Sequence, residues 1–157
     1  MNKKKIEIIV VIMILLDQLT KMLIINKQIT IIPNLLEFTY TENTGVAFGI
    51  ANSKVLIIVL VSMLILSIVF KVIKKKEIQL DNMTLFSLYF VLAGGISNLI
   101  DRIFRGYVID FIDVNILNFP NFNIADICIT VGIFVLILIV IKSLFESEKI
   151  GDDKNEI

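Results

Sequence analysis

The chain alternates between long apolar runs and shorter polar segments. Apolar runs cover residues 6–25, 55–73, 80–100 and 124–144, each near the roughly 20 residues a helix needs to cross the hydrocarbon core of a bilayer. Helices satisfy their own backbone groups in lipid, so the pattern predicts an all-α membrane protein with four transmembrane helices. The first run follows Lys3, Lys4 and Lys5 and is interrupted at Asp17, Gln18, Thr20 and Lys21. It is longer than the apolar region of a cleaved signal and no small-residue cleavage site follows, so it reads as a retained first span. Segment 26–54 contains Pro33, Asn34 and Gly45, and its middle, Leu36-Glu37-Phe38-Thr39-Tyr40, alternates apolar and polar residues. That alternation predicts a small surface sheet between helices 1 and 2. Segment 101–123, with Gly106, Pro120 and many Ile, Phe and Tyr residues, reads as a second connection lying in the membrane interface. No repeat or linker divides residues 1–157, which read as a single integral membrane domain.

Charge orients these spans. Basic residues gather before the first run (Lys3, Lys4, Lys5), between the second and third (Lys71, Lys74, Lys75, Lys76) and after the fourth (Lys142, Lys149, Lys154). The opposite side carries about half as many: Lys21, Lys27, Lys54, Arg102 and Arg105. Lys and Arg favour the cytoplasmic side, which predicts both termini inside and segments 26–54 and 101–123 outside.

Composition changes this picture little but excludes several chemistries. The chain is 57% hydrophobic and 19% charged, more apolar and less charged than soluble domains. It has no basic stripe of the kind that binds nucleic acid. Cys128 is the only cysteine, so no internal disulfide can form, and there is no histidine. A Ser-His-Asp triad is excluded, and a zinc site lacks its usual ligands.

Polar residues at the ends of spans carry the functional signal, because an ionisable group inside a span is costly. The predicted topology brings Asp17, Lys21, Asn98, Asp101, Arg102, Asp110, Asp113, Asn123 and Asp126 toward the same outer face. Asp17 and Lys21 are spaced to pair on one helix face, either as a structural ion pair or in contact with substrate. Asn98, Asp101 and Arg102 share a face after Gly94-Gly95, as helix glue or as a holder of peptide backbone. Asn123 and Asp126 have the spacing of an N-cap and a capping-box partner, and the first-turn carboxylate feels the positive end of the helix dipole. Asp110 lies in the apolar stretch Tyr107-Val108-Ile109-Asp110-Phe111-Ile112, with Asp113 as its competitor. Two carboxylates in one apolar site share a proton, which is aspartic peptidase chemistry. The residues alone leave the choice between Asp110 and Asp113 open. They also leave open a proton-coupled transporter, whose site would sit nearer the midplane, and a non-enzymatic assembly factor.

Five stretches in order resemble bacterial lipoprotein signal peptidase, signal peptidase II. They are Asp17-Gln18-Leu19-Thr20-Lys21, Asn43-Thr44-Gly45-Val46-Ala47-Phe48, Gly94 to Arg102, Val108-Ile109-Asp110-Phe111-Ile112 and Phe122-Asn123-Ile124-Ala125-Asp126. The resemblance implies an aspartyl endopeptidase of the bacterial cytoplasmic membrane, with its active site on the extracytoplasmic face. It would cut prolipoproteins just before a cysteine that carries a diacylglyceryl group. It implies Asp110 and Asp126 as catalytic, and Asp17, Lys21, Asn43, Gly45, Asn98, Asp101, Arg102, Asn123 and Ala125 as supporting or substrate-binding. Segment 26–54 would be the family's surface β-cradle. No metal or other cofactor is implied, and the partners are prolipoprotein substrates and membrane lipids, not nucleic acid, with a monomer expected. Ser97 stands where the family usually has glycine. On these expectations Asp126 is the base and Asp110 the protonated acid, while Asn98, Arg102 and Asn123 hold the peptide main chain.

Overall fold

The computed structural model describes residues 3–45, 51–75, 78–115 and 119–155. Val46, Ala47 and Phe48 of the second motif lie outside the described residues. In chain order the elements are α1 (Lys3–Ile24), β1 (Gln28–Ile32), β2 (Leu36–Asn43), α2 (Ala51–Lys74), α3 (Asn82–Phe104), β3 (Val108–Val114) and α4 (Ile124–Asn155). Helix α3 is central and packs against each of the other three, and α1 also touches α4.

Among the described residues, three helices are long and apolar enough to cross a membrane: Val55–Lys74, Asn82–Phe104 and Ile124–Glu146. Helix α1 is long enough, at 22 residues or about 33 Å, but Glu7, Asp17 and Lys21 lower its apolarity. Its faces explain this. Ile6, Asp17, Lys21 and Ile24 are buried against the bundle, whereas Ile8, Val11, Leu15, Leu19, Met22 and Leu23 are exposed. The helix is amphipathic with its polar groups inward, the reverse of a helix on a soluble protein.

Helix α3 runs from 82 to 104 rather than from 80 to 100. Asp81 is its N-cap and accepts from the backbone N–H of Met83 and Thr84, which fixes the start. The helix continues past Ile100 because Asp101 turns its side chain into the bundle, where it is fully buried. Gly106, at φ +81°, then supplies the left-handed residue that ends a helix, and its N–H donates to the Arg102 carbonyl at 3.2 Å. Gly94 has a different role. A Cβ there would lie 2.1 Å from the Ala125 carbonyl oxygen, so only glycine lets α3 and α4 approach this closely.

The small sheet expected between helices 1 and 2 exists, but it is larger than that segment. Its order is β1-β2-β3, all antiparallel, and β3 comes from the connection between α3 and α4. The expectation of an all-α fold with a small sheet confined to the segment between helices 1 and 2 is therefore incomplete. Val108–Val114 holds five β-prone residues around Asp110 and Asp113, and its partner lies far away in sequence, which local alternation cannot reveal. The β1–β2 turn places Pro33 and Asn34 centrally, with Asn34 at φ +61° and Leu35 N–H donating to the Ile32 carbonyl at 3.1 Å, as a type II turn requires. The β2–β3 register shifts between Phe38, opposite Ile112, and Thr41, opposite Asp110. Such an irregularity bends a strand and re-aims its side chains.

Apolar clusters lie at both ends of the bundle. Ile24, Ile109 and Phe111 pack beneath the sheet, and Ile6, Ile73, Tyr89 and Leu92 pack at the far end. A buried polar layer lies close beneath the sheet-side cluster.

Candidate active site

The polar layer has two parts. The first is centred on Lys21, which is fully buried. Its ammonium lies 2.6 Å from Asp17 Oδ2 and 2.8 Å from Asp101 Oδ2, and donates to Asn98 Oδ1 at 2.9 Å. Asp17 Oδ2 also accepts from the Ser97 hydroxyl at 2.7 Å, and Asp17 Oδ1 accepts from the Ala125 N–H at 2.9 Å. The carboxylate on α1 thus caps an orphan donor of α4's first turn. Asp101 Oδ1 pairs with Arg105 and accepts from Gln18 Nε2. Every charge here has a counter-charge and further hydrogen bonds, the condition under which buried ions are tolerated.

The second part contains Asp110 and Asp126. Asp110 projects from β3 and is 2% exposed. Its Oδ2 accepts from Asn43 Nδ2 at 2.7 Å and its Oδ1 from Asn123 Nδ2 at 2.6 Å. Asp126 sits in the first turn of α4. Its Oδ1 accepts from Asn98 Nδ2 at 2.8 Å and its Oδ2 from the Asn123 N–H at 3.1 Å. Asn123 Oδ1 in return accepts from the Asp126 N–H at 2.9 Å, completing a reciprocal capping box. One residue, Asn123, therefore grips both carboxylates.

Burial pushes the Asp110 carboxyl above its ordinary range, and the negative charge of Asp126 adds to that, while the hydrogen bonds from Asn43 and Asn123 and the charge of Lys21 oppose it. Arg102 lies within electrostatic reach of Asp126, Asp110 and Asp101. Its Nη1 donates to the Asn98 carbonyl at 3.3 Å, and its Nε is buried with no partner among the described residues. Across the layer, Asp17, Asp101, Asp110 and Asp126 face Lys21, Arg102 and Arg105. One proton on the carboxylates makes the group neutral.

Asp110 lines a polar cavity of about 470 Å³ with Thr41, Glu42, Asn43, Gly45 and Asn121. The Gly45 N–H donates to Asn43 Oδ1 at 2.8 Å, which orients the Asn43 amide toward Asp110. Asp113 is placed differently: it stands opposite Glu37 in the sheet register and is only partly buried.

Known proteins resemble this chain over most of its length. The family model described as Signal peptidase (SPase) II matches residues 9–142. The chain belongs to the signal peptidase II family. The lipoprotein signal peptidase of Halothermothrix orenii is 36% identical over 150 residues, covering 92% of this chain and 98% of that protein. That of Halalkalibacterium halodurans is 37% identical over 156 residues, covering 94% and 97%. Two solved structures of a bacterial membrane enzyme, obtained in meso at 2.3 and 1.9 Å resolution, match at 31% identity. Their TM-scores are 0.81, over 90% of both chains, and 0.82, over 89% of this chain and 94% of the other.

Within this signal peptidase II chain, all the site residues expected from sequence meet in one layer or on its cavity wall. Ala125 takes part through its backbone N–H alone. Asn98 and Asn123, expected to hold the peptide, spend their side-chain amides on the two carboxylates and on each other at 3.2 Å. Three participants were not among the expected site residues. Gln18 donates to Ser97 and Asp101, Ser97 donates to Asp17, and Arg105 pairs with Asp101. A signal for Arg105 was available: it lies four residues after Asp101 on the same helix face.

Proposed function

We propose that Asp110 and Asp126 form the catalytic dyad of this aspartic peptidase, which removes signal peptides from prolipoproteins. Cleavage falls just before the diacylglyceryl-modified cysteine, at the extracytoplasmic face of the bacterial membrane. The observation that carries the assignment is Asn123, whose side-chain amide and backbone N–H each hold one of the two carboxylates.

The chemistry follows from one shared proton. Asp110, whose carboxyl is raised by burial, holds it and hydrogen-bonds the scissile carbonyl. Asp126, at the positive end of the α4 dipole, takes a proton from water as that water attacks the carbonyl carbon. Asp126 then passes the proton to the leaving amine as the C–N bond breaks. Because the pair is coupled, its titration belongs to both members. Arg102 brings a positive charge within electrostatic reach of both carboxylates, and Asn98 and Asn123 hold the dyad.

Membrane placement rests on the apolar outer face of α1 together with the three apolar helices. With α1 as the fourth span, the basic clusters support a topology with both termini in the cytoplasm and the sheet outside.

The decisive experiment incubates purified protein in liposomes with a lipid-modified precursor and measures release of the signal peptide. Asp110→Asn and Asp126→Asn are each expected to lower turnover by about 10³-fold or more, with normal insertion. Substantial turnover by either variant sinks the dyad.

A further inference from the structure

Two cavities meet at the proposed dyad, and they differ in character. Asp110 lines the polar one, of about 470 Å³. Asp126 lines a second, of about 330 Å³, with Phe119, Phe122, Ile127, Thr130 and Val131. Pro120 and Asn121 form the wall common to both. Asp126, Ile127, Thr130 and Val131 follow the one-four-five spacing of a single helix face. That face runs about 7.5 Å along the axis from the carboxylate toward the apolar middle of α4. Phe119 and Phe122 meet edge to face, 5.6 Å apart, and close its upper side.

We propose that this apolar groove seats one acyl chain of the substrate's glyceride and thereby sets the side from which the modified cysteine reaches the dyad. The inference rests on the proposed function above. The glyceride is bonded to the side chain immediately after the scissile bond, so its chains must leave the site within one residue of the dyad. The polar cavity is an unfavourable exit for hydrocarbon. The α4 groove starts at Asp126, is apolar, and descends in the direction the chain must take to rejoin the bilayer. Ile127 and Val131 are 41% and 39% exposed, so the groove is open to a ligand. Hydrocarbon gains little free energy on moving from lipid tails to such a wall. The groove therefore orients the substrate and selects chain length more than it adds affinity.

The test uses a synthetic precursor peptide whose dipalmitoylglyceryl cysteine carries a mid-chain diazirine. It is mixed with full-length Asp110→Asn protein in phosphatidylglycerol liposomes and irradiated. Label is expected at Ile127–Val131, enriched about tenfold over that from a phospholipid bearing the same diazirine. Label on α1 or α2, or the phospholipid's own pattern, overturns the proposal. Independently, Thr130→Trp and Val131→Trp fill the groove in an otherwise unchanged enzyme. Each is expected to lower the ratio of kcat/KM for dipalmitoyl over dibutyryl precursor by about tenfold, the equivalent of about 1.4 kcal/mol. An unchanged ratio overturns the proposal. Release of signal peptide by Asp110→Asn would instead sink the dyad, and the groove would still be judged on the tryptophan variants.

Discussion

The two halves of the buried polar layer hold similar carboxylates in opposite ways. Asp17 and Asp101 are held by cations, sharing Lys21 between them, and Asp101 also pairs with Arg105. Asp110 and Asp126 take their hydrogen bonds from neutral amides, those of Asn43, Asn98 and Asn123. A carboxylate matched by a buried ammonium cannot easily gain a proton, because the cation would then be left uncompensated. A carboxylate held by amides keeps its orientation in either protonation state. The first arrangement fixes helices and the second permits proton transfer, although the two share Asn98, which accepts from Lys21 and donates to Asp126.

The cation-held half fails most severely when Lys21 is lost. Lys21→Met leaves Asp17 uncompensated and Asp101 with Arg105 alone, and removing one partner from a buried ion cluster costs about 3–5 kcal/mol. A lower thermal midpoint in detergent, together with lost cleavage, is expected. Unchanged stability would mean that the triad is not what fixes α1 to α3. Asn123→Ala attacks the other half. It removes an amide from Asp110 but leaves the backbone N–H on Asp126, so the expected loss is in kcat, about 10²-fold, with a smaller loss of stability. A change confined to KM would return Asn123 to holding the peptide.

On the proposed mechanism, activity falls on the alkaline side as Asp110 loses its proton, and that limb lies above the ordinary carboxylate range because burial raises Asp110. The Asn43 hydrogen bond acts the other way, lowering it. Asn43→Ala is therefore expected to move the alkaline limb of the kcat/KM profile to higher pH. A shift to lower pH would contradict the assignment of Asp110 as the acid.

How much of this was legible depended on sequence distance. The Asp17–Lys21 pair and the Asn123–Asp126 capping box are patterns of residues four and three apart, and the structure reproduces both. Both carry their geometry in helical spacing alone. The third strand was not legible, because β3 pairs with a segment about 70 residues earlier and its burial hides the alternation of a half-exposed strand. Ser97 was equally silent: its hydroxyl matters because Asp17 and Gln18 arrive from another helix. The sequence pattern placed polar groups at one end of the bundle, but only tertiary packing divides them into a cation-held set and an amide-held set.

That division also favours Asp110 over Asp113 for the proposed dyad, a choice the local sequence left open. In a strand, residues three apart point to opposite faces, so one register places only one of them over Asn123. Thr41 stands opposite Asp110 and Glu37 opposite Asp113. Like charges directly across a sheet repel by a few tenths of a kcal/mol. Asp113→Asn removes that repulsion and leaves the hydrogen bonds of the dyad in place. It is expected to change kcat/KM by no more than about twofold, with stability unchanged or raised by about 0.5 kcal/mol. The assay is the same liposome cleavage run beside Asp110→Asn. If Asp113→Asn were as inactive as Asp110→Asn, the β2–β3 register would have to differ in the working enzyme, and the amide-held pair would no longer mark the chemistry.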